Sequence, residues 1–217
     1  MDTAVTDHLL TTTRAVRRKL DLDRPVDPAV VVECLRIAVQ APTAGSTQTW
    51  RWLVVRDRAT RSAIGELFRE VGNDYLRRKV EAAGSEANRP AFQRALASAQ
   101  HLVDVIDKVP LFVIPCVLGR PEGGNDMLSV FYGGIFPAVW NLQLALRTRG
   151  LGSTLTTYHL EREAEAATIL GIPADVTQVG LLPVGYITTD DFRPGPRLPV
   201  EEVTFAERWG DRLVPQS

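Results

Sequence analysis

The chain is short of the residues that staple or metallate a small fold: 217 residues contain 2 cysteines and 3 histidines. Cys34 lies in an apolar helical pattern and Cys116 in an apolar run, so both read as buried thiols rather than a bridge. Two thiols cannot make a zinc quartet, and this usage suits a reducing compartment. His8, His101 and His159 are far apart with no HxxxH or HExxH spacing, which argues against a histidine metal site. Charge of either sign is not in excess either. Twenty-five Lys and Arg against 26 Asp and Glu leave a net charge of −1, so no global field draws the molecule to nucleic acid or an anionic membrane. No apolar run approaches the roughly 18 residues of a membrane span, and Asp2 and Asp7 stand where a signal peptide is basic. The expectation is a soluble cytoplasmic protein with no nucleic-acid and no membrane partner. A GxSxG elbow, a GxxxxGK[ST] loop and a glycine-rich dinucleotide fingerprint are also missing, so hydrolase, phosphate-loop and dinucleotide-fold readings have no support.

What is present is ordinary globular material, 45% hydrophobic and 24% charged, of a length that fits one domain. Leu9, Leu10, Val16 and Leu20 follow a helical period, predicting a first helix over 3–19. Asp27 and Pro28 start a second, with Val31, Cys34, Leu35, Ala38 and Val39 as its buried face and Pro42 as its end. WRWLVV over Trp50–Val55 reads as a strand, and Asp57 caps the next helix. Residues 59–108 read as two amphipathic helices that break near Ala83-Gly84-Ser85 and Pro90. Val109–Leu118 is an apolar strand and Gly119–Asn125 a loop. A helix over Phe131–Arg149, apolar on most faces through Phe136, Val139, Trp140, Leu142, Leu144 and Leu146, is expected to run through the core. An extended piece over Ser153–Thr157 follows. Next come a helix over Glu161–Leu170 closed by Gly171 and Pro173, and a strand over Val176–Ile187 interrupted by Pro183. The last element is a helix-like piece over Val200–Trp209. Helices and strands mix without regular alternation, which favours an α+β class over a doubly wound parallel sheet.

The chemistry-bearing groups are cations and polar loops at the ends of elements. Arg14 and Arg17 are three apart, so on a helix they share a face and two guanidinium forks could clamp a phosphate. The same spacing, extended by Arg18 and Lys19, also describes a solvated basic face. APTAGSTQTW over Ala41–Trp50 offers polar side chains and free backbone groups to a flat heteroaromatic, although connections of this kind are commonly polar. Gly150-Leu151-Gly152 marks a helix terminus. Arg193 and Arg197 add cations in a proline-rich stretch that also reads as a solvated turn.

The order of these pieces carries more than any one of them. TTRAVRRKL, then APTAGSTQTWRWLVVRD, then NLQLALRTRGLGSTLTT, then LGIPADVTQVGLLPVGY resembles the FMN-dependent nitroreductase family over residues 12–57 and 134–200, while 60–133 are not distinctive. The resemblance implies a nitroreductase-like α+β fold: a central, mostly antiparallel sheet flanked by helices, forming an intertwined homodimer with FMN at the interface. It implies one FMN-binding domain over 1–217, with 200–217 an arm toward the partner. FMN contacts then fall on Arg14, Ala15, Arg17, Pro42, Thr43, Ser46, Gln48, Thr156, Thr157, Arg193 and Arg197, with Trp50 and Tyr158 alongside. Thr13 stands where many members carry a further arginine, Ser46 where they carry Asn, and Thr49 where they carry Pro.

Under this resemblance Arg17 stabilises charge on the reduced ring and no side-chain acid or nucleophile is required. NAD(P)H is the co-substrate. The acceptor is a nitroaromatic, quinone or similar small electrophile, with Phe131 and Tyr132 either shaping its pocket or filling the core. Relatives that dehalogenate iodotyrosine or fragment flavin, and a flavin carrier or sensor without nicotinamide turnover, are the competing readings.

Overall fold

A computed structural model describes residues 2–213 and separates two compact units: Thr13–Asp190, and the two chain ends up to Thr12 and from Asp191. The larger unit holds one five-stranded sheet. Its strands are β1 (Trp50–Val55), β2 (Leu111–Leu118), β3 (Leu151–Ser153), β4 (Val176–Gln178) and β5 (Leu182–Tyr186). They run in the order β1-β2-β5-β3, with β4 also on β2, and every ladder is antiparallel. The α+β expectation therefore holds.

β2 is the centre of the sheet, and its apolar run is buried through Val117. Pro115 sits in this central strand without cost because β5 pairs with residues 111–113 and β4 with 116–118. Its carbonyl accepts from Val179 N at 3.0 Å, so the N–H it lacks would have faced the gap between the two strands.

The helices are α1 (Thr3–Thr12), α2 (Pro28–Ala38), α3 (Arg58–Ala83), α4 (Pro90–Val105), α5 (Asn125–Arg147) and α6 (Glu163–Leu170). Local chemistry sets their ends. Asp27 accepts from Ala29 N at 2.9 Å, Asp57 accepts from Thr60 N at 2.8 Å, and Gly171 closes α6 at φ 66°. α2 packs along α5, burying Val31, Cys34 and Ala38 beside Ile135, Val139 and Leu142. Both cysteines are free and buried, and burial pushes the Cys116 thiol up to about 12. α3 and α4 pack against each other, and a 3-10 turn over Tyr158–Arg162 packs on α3.

Several sequence expectations are corrected. The first helix stops at Thr12. Residues 13–21 instead form a non-helical segment along the sheet that turns at Arg17–Lys19, where Leu20 N donates to Arg17 O at 3.4 Å. Val16 N donates to Ser153 O at 2.9 Å, Asp21 N donates to Tyr186 O at 2.7 Å, and Leu20 bridges Ile187. Val16 and Leu20 are buried by this non-local pairing, which mimics a helical period in the sequence. The paired glycines Gly152 and Gly185 make it fit: a Cβ on Gly152 would lie 2.9 Å from Val16 Cβ, and one on Gly185 would lie 3.0 Å from Asp21 O.

α5 begins at Asn125 rather than Phe131, and Phe136 and Trp140, expected in the core, are exposed, as are Met127 and Val130 in the earlier turns. The extended piece after it is Leu151–Ser153, and the late strand is two strands split at 179–181, with Pro183 inside β5. In the smaller unit, Val200–Trp209 is a single 3-10 turn over Val200–Glu202 followed by a bridge from Phe205 to Arg212, not a helix. Residues 214–217 of the expected arm lie outside the described residues. Among the described residues no helix is long and apolar enough to cross a membrane.

Candidate active site

A cavity of about 540 Å³ opens between the non-helical 13–21 segment, α3, α4 and the Tyr158–Arg162 turn. Arg17 enters from the first, Tyr75, Leu76 and Lys79 from α3, and Thr157, Tyr158 and Glu161 from the turn and its approach. Ala95 and Ala99, one turn apart on α4, form a low wall. Tyr158 is fixed by its neighbours: ring centroids of Phe68 and Tyr75 lie 5.0 and 5.2 Å from its own. Gly72 is the notch that admits it, since a Cβ there would lie 3.0 Å from the Tyr158 ring and 2.7 Å from Val103.

Arg17 is half-buried, and among the described residues it has no carboxylate partner. Burial lowers its pKa, with the Tyr158 side chain opposing weakly. The Tyr158 hydroxyl is shifted upward by burial and then by Tyr75, and Arg17 pulls it back. Glu161, the carboxylate on the rim, is engaged by Arg78 at 3.3 Å.

The Ala41–Trp50 loop builds a separate cavity of about 360 Å³, lined by Pro42, Thr43, Ser46, Gln48 and Trp50. Gly45 and Ser46 both adopt left-handed backbone, φ 58° and 56°, which folds the loop into a tight 3-10 turn over Ala44–Ser46. That conformation is strained for serine. No hydrogen bond among the described residues engages the side chains of Thr43, Ser46 or Gln48.

The structure thus brings Arg17, Thr157 and Tyr158 together, and separately Pro42, Thr43, Ser46, Gln48 and Trp50, but the two cavities share no lining residue. Arg14 and Ala15 are exposed on the segment leading to Arg17 and line neither cavity, so the shared helix face expected for Arg14 and Arg17 is absent. Thr156 is held by backbone bonds to Leu181 at 3.0 and 2.8 Å. Arg193 pairs with Asp191 at 3.2 Å and Arg197 donates to Pro196 O at 2.9 Å, both in the smaller unit. Phe131 and Tyr132 are half-buried and packed on the core cluster.

Sequence reasoning missed Tyr75, Lys79, Ala95 and Ala99. Their one usable signal is i,i+4 spacing, which puts each pair on one helix face, within a stretch whose charge reads as solvated surface.

Next to Tyr158 the chain turns inward. His159 is fully buried, and burial holds its imidazole down at about 4, with Gln178 as a polar neighbour. Among the described residues neither ring nitrogen has a hydrogen-bond partner, nor does Gln178 Oε1. Gln178 in turn is tied to Glu163, donating from Nε2 to its carbonyl and from N to Oε1, each at 3.0 Å.

The model of the nitroreductase family matches residues 10–186. The chain belongs to the nitroreductase family. Among relatives of this nitroreductase-family chain, the NADH dehydrogenase of Thermus thermophilus is 27% identical over 196 residues, covering 83% of this chain and 86% of that protein. The iodotyrosine deiodinase of Drosophila melanogaster is 25% identical over 164 residues, which is 74% of this chain but only 55% of the fly enzyme. A solved iodotyrosine deiodinase bound to FMN and 3-iodo-L-tyrosine superposes with a TM-score of 0.65 at 21% identity, covering 93% of this chain and 98% of that one. The nitroreductase-like fold is thereby shown, and the general chemistry of the family is FMN-dependent redox.

Proposed function

We propose that the chain is an FMN-dependent oxidoreductase carrying hydride from NAD(P)H to a nitroaromatic, quinone or similar conjugated electrophile in ping-pong fashion. The observation that carries this reading is Arg17, a half-buried guanidinium without a carboxylate partner among the described residues, in a cavity lined by the rings of Tyr75 and Tyr158. The donor set fits FMN: one partly desolvated cation for an anionic group, Thr157 in the same lining, and a volume inside the roughly 300–1,000 Å³ range of cofactor sites. When bound, FMN supplies the hydride chemistry at N5.

The chain's own residues bind and position. Arg17 stabilises negative charge electrostatically in a partly water-excluded place. Gly72, Phe68 and Tyr75 hold Tyr158 at the cavity wall. Thr43, Ser46 and Gln48 offer open polar side chains from the second cavity. A homodimer would let one flavin use both sets, and the exposed apolar residues Met127, Val130, Phe136 and Trp140 of α5 support such an assembly. Arg193 and Arg197 remain candidate phosphate contacts, and residues 200–217 the candidate arm toward the partner. The reading includes a cytoplasmic protein without nucleic-acid or membrane partners.

The test is an absorption spectrum of the purified protein followed by stopped-flow mixing with NADH and NADPH. Yellow protein that bleaches rapidly supports the enzyme. Yellow protein that does not bleach makes it a carrier, and colourless protein that takes up no FMN overturns the reading. The acceptor panel should include an aryl iodide beside nitroaromatics and quinones, since similarity to a deiodinase favours that second acceptor class.

A further inference from the structure

We infer that Lys79 recognises the acceptor in the Arg17 cavity and selects flat aromatic molecules that carry a carboxylate. The inference rests on the function proposed above and deepens it. Lys79 follows Tyr75 by one helical turn on α3, and both line the cavity. Its ammonium lies 5.9 Å from the ring centroids of Tyr75 and Phe92, at the outer edge of cation–π reach.

Its neighbours on α3 differ from it. Arg77 pairs with Asp74 and Glu81, and Arg78 pairs with Asp74 and Glu161. Lys79 has no carboxylate partner among the described residues. Glu161, the carboxylate in the cavity lining, pairs with Arg78, so among the described residues Arg17 and Lys79 are two cations of the cavity without a carboxylate partner.

The two cations sit at different depths. Arg17 is half-buried, the place of a resident anion, whereas Lys79 is exposed at the mouth, where a visiting molecule arrives. From α4 the lining is Ala95, Leu96 and Ala99, and the two alanines present only methyl groups, leaving a slot in a cavity that the Tyr75 ring also lines. A planar ring fits that slot, and a carboxylate on its outward edge meets the ammonium. Such an anion could equally be the phosphate of FMN, so the test separates the two sources.

Flavin-loaded protein, without a nicotinamide donor, is titrated with para-nitrobenzoate and with its neutral counterpart para-nitrobenzamide, and binding is followed by the perturbed flavin absorbance. The carboxylate should bind about tenfold more tightly, a charge-assisted contact reduced by solvent screening, and the advantage should shrink as salt is raised. Lys79→Met should bring the two ligands to the same affinity while FMN stays bound as in the wild type, and Lys79→Arg should keep the preference. The inference is overturned by equal affinities in the wild type, by a preference that survives Lys79→Met, or by weaker FMN binding in Lys79→Met, which would give the lysine to the cofactor. Colourless protein overturns the underlying function and the inference together; yellow protein without the preference overturns the inference alone.

Discussion

Two cavities of the larger unit, of about 540 and 420 Å³, each have an arginine in the wall, and the two guanidiniums are in opposite states. Arg120 grips Glu163 with both Nη atoms, at 2.9 and 2.8 Å, and donates to Val176 O at 3.2 Å. That contact, with a further bond from Gln178 N, holds the Glu163 carboxyl below its usual range. Among the described residues Arg17 has no such carboxylate. A cation already matched by an acid of its own fold is architecture, however roomy the cavity beside it, while an unmatched one in a half-dry place is available to a ligand. The border between the two kinds of ground runs between consecutive residues: Tyr158 faces the Arg17 cavity, and His159 lies buried among the partners of Glu163.

The largest effect that can break this contrast concerns His159. Its folded pKa, about 4, lies below the roughly 6.5 of an exposed imidazole. The unfolded chain therefore takes up the proton first as pH falls. Stability is complete above about pH 6.5 and declines down to about pH 4, by about 3 kcal/mol. A thermal melting series over that window should show the decline in the wild type and a much flatter profile in His159→Leu; equal slopes would remove His159 from the structural side. Next, Arg17→Ala should weaken FMN binding roughly ten- to a hundredfold and lower the flavin potential, as read by flavin titration and dye-coupled reduction. Arg120→Ala should leave the FMN affinity where it was. Loss of flavin in the Arg120 variant would erase the distinction.

Gly152→Ala sharpens the comparison by joining both regions. Its Cβ would press on Val16 and on Ile187, 2.6 Å away, costing about 2 kcal/mol. Because Val16 precedes Arg17, flavin affinity should fall along with the melting temperature, and a fall in one without the other would show that the segment tolerates displacement. The smallest effect is the stability cost of Arg120→Ala, about 1 kcal/mol for a partly exposed pair, or roughly 2–4 °C in Tm.

The parts of this fold that the sequence makes legible are those decided by neighbours in the chain. Asp27 with Pro28, Asp57 and Gly171 mark real helix ends because a cap or a left-handed residue acts within a few positions. β2 is plain because a central strand buried on both faces must be apolar throughout. Val16 and Leu20 mislead because they are buried by β3 and β5, more than a hundred residues away in sequence, and spacing alone cannot tell that from a helix. The loop from Pro42 to Trp50 is visible through its family resemblance, yet its separation from Arg17 appears only in three dimensions. Lys79 is hidden for another reason: among Arg77, Arg78 and Glu81 it is one more charge on a wet helix. Its distinction is the pairing it lacks.

The slot that Gly152 and Gly185 leave open on the sheet bears on how quickly the pocket can respond. Main-chain bonds from Val16 to Ser153 and from Asp21 to Tyr186 moor the stretch on both sides of Arg17. The root of that guanidinium is therefore set before any guest arrives, and only its side-chain torsions remain to be frozen. Little reorganisation then opposes an incoming anion, and the positive pole of the pocket stays in one place while successive visitors come and go.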